Sequence, residues 1–160
     1  MIIDSVYPSG FSIFSDDIRH EINGKMTLVG TYVGEMNIIG ELPARLPMLA
    51  CLIAFRFIPP DEPITVDCKI ILETDRHEEQ QLFGAYLELG PTPNDHPQEN
   101  PFDRDGTFAE ARIAAQMPGL EIKAPGRLKV RAYMPNGDEV RLGSLRIKIS
   151  APQKDEDAPV

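Results

Sequence analysis

Apolar residues in this chain recur at every second position, and convincing three-to-four spacing of the helical kind is nearly absent. In 48–57, "MLACLIAFRF", Leu49, Cys51, Ile53, Phe55 and Phe57 share one face, while Met48, Ala50, Leu52, Ala54 and Arg56 share the other. A strand apolar on both faces belongs in the middle of a packed sheet. Beyond the Pro-rich turn "PPDEP", Ile64, Val66, Cys68, Ile70 and Leu72 alternate with Thr65, Asp67, Lys69, Ile71 and Glu73, so one face is buried and the other mostly wet. A further strand is expected over 82–89, a long Pro-rich loop over 90–106, and a strand over 107–117 bounded by Pro118-Gly119. The pattern closes on a hairpin, 126–134 and 139–150, around "PNGD". These short, turn-punctuated strands predict an all-β antiparallel sandwich of about seven to eight strands. The expected organisation is an N-terminal arm over 1–10, one domain over 11–150 and an acidic, disordered tail over 151–160.

The Asn23-Gly24 pair is the strongest local hairpin signal, and face polarity chooses its register. A two-residue loop would set Glu21 against Met26 and Arg19 against Leu28, mixing charge with apolar side chains. A three-residue loop, Ile22-Asn23-Gly24 with Gly24 left-handed, opposes Ile18 to Leu28 and His20 to Met26, with Glu21 facing Lys25 and Arg19 facing Thr27. The second register separates the faces and is the one expected.

The ordered series "DDIRHEINGKMTLVGTY", "ELPARLPMLACLIAFRF" and "APGRLKVRAYMPNGDEVRLGSLRIKI" resembles a family of small uncharacterised bacterial proteins, a domain of unknown function. The resemblance covers roughly residues 11–149. It implies an immunoglobulin-like or C2-like β-sandwich, and it carries no activity, substrate or catalytic residue.

Formal charge is −9, which disfavours nucleic acid, since phosphate binding draws on Lys and Arg. From Lys123 to Lys148, however, seven basic residues stand against Asp138 and Glu139, a local balance of +5. Counting by two from Leu128, Val130, Ala132 and Met134 puts Arg127, Lys129, Arg131 and Tyr133 on the outward face. On the returning strand Arg141 faces outward, and after a parity slip at Gly143-Ser144 so do Arg146 and Lys148. Six neighbouring cations repel unless answered. The answer is either internal, from acids on an adjacent strand or the tail, or external, from an acidic protein partner or another copy of the chain.

Chemistry-bearing motifs are sparse. The loop "NDHPQENPFDRDG" gathers Asp95, His96, Glu99, Asp103 and Asp105, oxygen-rich ligands of the kind calcium takes, with Asp61 and Glu62 as further candidates from another loop. An EF-hand frame built on Gly106 fails at Pro101 and Arg112. The histidines are too dispersed for zinc, and no nucleophile elbow or phosphate loop occurs. Cys51 and Cys68, in apolar runs, read as free core thiols. The start lacks a basic leader, and no apolar run reaches the roughly 18 residues of a membrane helix, so a cytoplasmic chain without a membrane span is expected. The expectation is a non-enzymatic protein-binding or adaptor module without cofactor. The alternative is a self-assembling protein joined through edge strands or the N-terminal arm, and a calcium-dependent C2-like module ranks last.

Overall fold

The alternation becomes nine strands in the computed structural model, which describes residues 7–91 and 108–152. They are β1 (Ser9–His20), β2 (Met26–Thr31), β3 (Glu35–Ile39), β4 (Ala44–Phe57), β5 (Ile64–Thr74), β6 (Glu79–Leu89), β7 (Ala109–Ile122), β8 (Gly126–Tyr133) and β9 (Glu139–Ser150). Two sheets form, one ordered β2-β1-β4-β7 and the other β3-β9-β8-β5-β6. The expected all-β sandwich is present, with one strand more than the upper expectation. The addition is β3, which runs parallel to β9, whereas every other pair is antiparallel. Of the expected arm, Ser9 and Gly10 already belong to β1, pairing with Arg56 and Phe55. Most of the 90–106 loop and of the tail lies outside the described residues.

The sheets meet on the residues that alternation selects. Leu49, Cys51, Ile53 and Phe55 of β4 face Val66, Cys68 and Ile70 of β5, Leu128 and Val130 of β8, and Leu142, Leu145 and Ile147 of β9 in one buried cluster. Burial of such side chains contributes about 1.5–3 kcal/mol each and outweighs any local preference. Ala50 and Leu52 point the opposite way and join Ile18, Met26, Leu28 and Ala114 in a second, smaller cluster on the outer face of the four-stranded sheet. This is why β4 is apolar on both faces.

The β1–β2 hairpin takes the expected register, with Ile18 opposite Leu28, Arg19 opposite Thr27 and His20 opposite Met26. Its turn places Asn23 as well as Gly24 in the left-handed region, at φ 64 and 72, and the Glu21 amide donates to the Lys25 carbonyl at 2.8 Å. A conformation that costs most residues free energy is tolerated by Asn and Gly, which explains the pair.

One boundary is corrected. Pro118-Gly119 does not end its strand, because β7 continues to Ile122, pairing with β4 as far as Ala44. On an edge strand a missing proline N–H can face away from the ladder, and Gly119 takes the φ of 62 that the passage needs. β9 changes parity at a bulge, where Val130 opposes Gly143 but Arg131 opposes Arg141, so that Leu142 and Leu145 both point inward.

Candidate interaction surface

Alternation inside the second sheet dictates its outer face. Because Val66, Cys68, Ile70, Leu128, Val130, Ala132, Leu145 and Ile147 are buried, their neighbours along β5, β8 and β9 project outward. All seven residues of the expected face, Arg127, Lys129, Arg131, Tyr133, Arg141, Arg146 and Lys148, lie on it. Register then sorts the face into rows. Glu35, Arg146, Arg127, Glu73 and Glu79 run straight across β3, β9, β8, β5 and β6. Arg141, Arg131, Lys69 and Gly84 form a second row, and Glu139, Tyr133, Asp67 and Tyr86 close the sheet at its far end.

Acids from five positions answer most of the cations. Lys129 Nζ bridges the Glu73 carboxylate and Glu79 Oε1, the latter at 3.5 Å. Arg131 Nε meets Glu139 Oε1 at 2.8 Å, and its Nη1 donates to the Val130 carbonyl at 2.8 Å and the Gly143 carbonyl at 3.2 Å. Arg141 shares Glu139 at 3.7 Å, and Lys148 Nζ lies 2.6 Å from Glu35 Oε2. Lys69, the seventh cation of the face, is 2.9 Å from Asp67 Oδ2 and 5.5 Å from the centre of the Tyr133 ring. The hydrogen bond and the charge of Asp67 raise its pKa. Much of the basic ladder is therefore an ion grid in which each carboxylate meets at least one cation.

Arg127 and Arg146 are the exception. They are direct partners across the β8–β9 ladder, both are exposed, and neither has an ion pair or side-chain hydrogen bond among the described residues. The carboxylates of their own row are engaged elsewhere, Glu35 by Lys148 and Glu73 and Glu79 by Lys129. Like charges directly opposite in a ladder are destabilising. The two arginines line a shallow cleft with Glu73, Thr74, Asp75, His77 and Gly126, where the β5–β6 turn meets the start of β8. His77 holds that turn at φ 62, its Nδ1 3.4 Å from Glu73 Oε1.

The counter-acids escape sequence reasoning to different degrees. Glu73 shares the outward parity of Asp67 and Lys69, so its place on the face is legible. Glu35 is not, because it reaches Lys148 only through the non-local pairing of β3 with β9.

Other candidate groups fall elsewhere. Asp95, His96, Glu99, Asp103 and Asp105 lie outside the described residues, while Asp61 and Glu62 are exposed in the β4–β5 connection. Among the described residues no three His, Cys, Asp or Glu side chains gather as a metal site would require, and no helix is long and apolar enough to cross a membrane. Cys51 and Cys68 are free and buried, one in each sheet. No protein-family model matches the chain, and no curated protein matches it.

Proposed function

We propose that this domain is a non-enzymatic protein-binding module whose contact surface is the outer face of the β3-β9-β8-β5-β6 sheet. The partner of this reading presents acidic side chains to Arg127 and Arg146. The observation that carries it is the unanswered arginine pair within a face whose other cations are matched by carboxylates. The net charge of −9 argues against a nucleic-acid partner, because an extended polyanion would be repelled by the rest of the molecule. Membership of the bacterial family resembled by the motif series belongs to the same reading.

The test is comparative capture from native-host lysate with the wild-type chain and with Arg127→Glu combined with Arg146→Glu. An acidic protein that the wild type retains and the variant loses is expected, with the variant still melting in one cooperative transition. Retention of the same protein by both contradicts it.

A second reading has its own observation. β7 is a 14-residue edge strand with no strand beyond it among the described residues. Such an edge can pair with a second copy. Light scattering after size exclusion at micromolar concentration discriminates, a closed dimer favouring self-assembly and a monomer favouring the partner module.

A further inference from the structure

Resting on that partner reading, we propose that the Arg127–Arg146 cleft binds a single carboxylate group, an Asp or Glu side chain of an acidic protein. Directly opposed residues of an antiparallel ladder hold their Cβ atoms about 5 Å apart, so two guanidinium forks can converge on one small anion. Each fork matches the planar, two-oxygen geometry of a carboxylate.

The flanks set the width of the site. In the same row the arginine pair is bounded by Glu35 on one side and by Glu73 and Glu79 on the other, with Asp75 at the lip. Lys148 pairs with Glu35 and Lys129 with Glu73, so the arginine pair stands between flanking acids. A strand of repeated negative charges would bring its next charge well within a Debye length of Glu35 or Glu73, about 8 Å at physiological salt. A phosphate dianion doubles its attraction to the arginines along with its repulsion from those acids, so charge alone does not exclude it. Its remaining oxygens, however, carry charge past the two forks toward the acids, whereas a carboxylate spends both oxygens on the forks.

Gly126 also lines the cleft. Gly126 lies beside Thr74 and Glu73, and a Cβ there would run into the Glu73 carbonyl oxygen, so β8 lies closer to β5 than a side chain would permit.

The experiment titrates the full chain with sodium acetate, inorganic phosphate and hexaglutamate in turn, reading the Arg127 and Arg146 Nε–Hε resonances by NMR. Acetate is expected to give a saturable shift of both resonances, phosphate to bind several-fold more weakly, and hexaglutamate to bind no more tightly per carboxylate than acetate. Arg146→Gln should abolish saturation at Arg127, whereas Arg19→Gln, on the other sheet, should leave it unchanged. Tighter binding of phosphate or hexaglutamate than of acetate overturns the single-carboxylate site. So does a shift that never saturates, or one that persists in Arg127→Gln with Arg146→Gln. Saturable acetate binding alongside unchanged capture by the charge-reversed variant supports the site and overturns the partner reading.

Discussion

Cys51 and Cys68 occupy inward positions of different sheets, and burial pushes their thiols up to about 12 and, with the adjacent Asp67 charge, about 11. The thiolate is the reactive form. The native protein at pH 8 should therefore resist Ellman's reagent, and the denatured, unreduced protein should titrate two thiols; rapid reaction of the native chain would refute the burial. Ser12 offers a second residue-scale test. Its Oγ is buried without a hydrogen-bond partner among the described residues and points toward Gly143, whose φ is 132 and whose missing Cβ leaves the hydroxyl its space. An unsatisfied buried hydroxyl costs about 1–3 kcal/mol. Ser12→Ala should raise the melting temperature by about 2–4 °C, the shift that roughly 1 kcal/mol gives in a domain of this size. Gly143→Ala should lower it, since an L side chain is strained at that φ and its Cβ would meet Ser12. Tyr32 shows a local polar closure of another kind: burial, with the hydrogen bond and charge of Asp16, pushes its phenol up to about 12.

Between β4 and β7, Glu110 accepts from Arg56 Nε at 2.7 Å and from Arg112 Nε at 2.6 Å. Burial alone would raise its pKa, but the two charged hydrogen bonds outweigh that and hold the carboxyl below the ordinary range. A carboxyl depressed in the folded state contributes stability that is present above its unfolded pKa and lost as pH falls through its folded one. Glu110→Gln should cost about 1 kcal/mol at pH 7, allowing for the exposure of both arginines, and the gap to wild type should close under acid. Urea unfolding at several pH values checks this; a gap that widens on acidification contradicts the assignment. The β1–β2 register was legible because only one pairing separates Ile18, Leu28 and Met26 from Arg19, Glu21 and Lys25. β4 was legible as central because Ala50 and Leu52 are as apolar as Leu49 and Cys51. The end of β7 was not, because whether Pro118 stops a strand depends on its being at a sheet edge, a tertiary fact. β3 was missed because its partner β9 lies over a hundred residues away, and parallel pairing leaves no turn signal. The outward ladder followed from parity alone, and acids on an adjacent strand were one of the two answers open for it; which acids was not legible, since Glu35 and Glu79 meet their cations only through cross-strand register.

For the whole molecule, the −9 charge and the +5 stretch of the C-terminal hairpin are reconciled on one surface. Acids from β3, β5, β6 and β9 interleave with the cations of β8 and β9, so the face carries little net field except at one end. That end is where two arginines oppose each other over the cleft without a carboxylate partner among the described residues. A double-mutant cycle measures this most directly: Arg127→Gln, Arg146→Gln and the pair, each unfolded in urea at low and at high salt. Each single substitution should stabilise the fold slightly. The coupling should be repulsive, on the order of 0.2–1 kcal/mol at low salt, and should shrink as salt screens it. Single substitutions that destabilise, with a favourable or salt-insensitive coupling between the arginines, would show that the pair is already satisfied within the fold and would contradict the account.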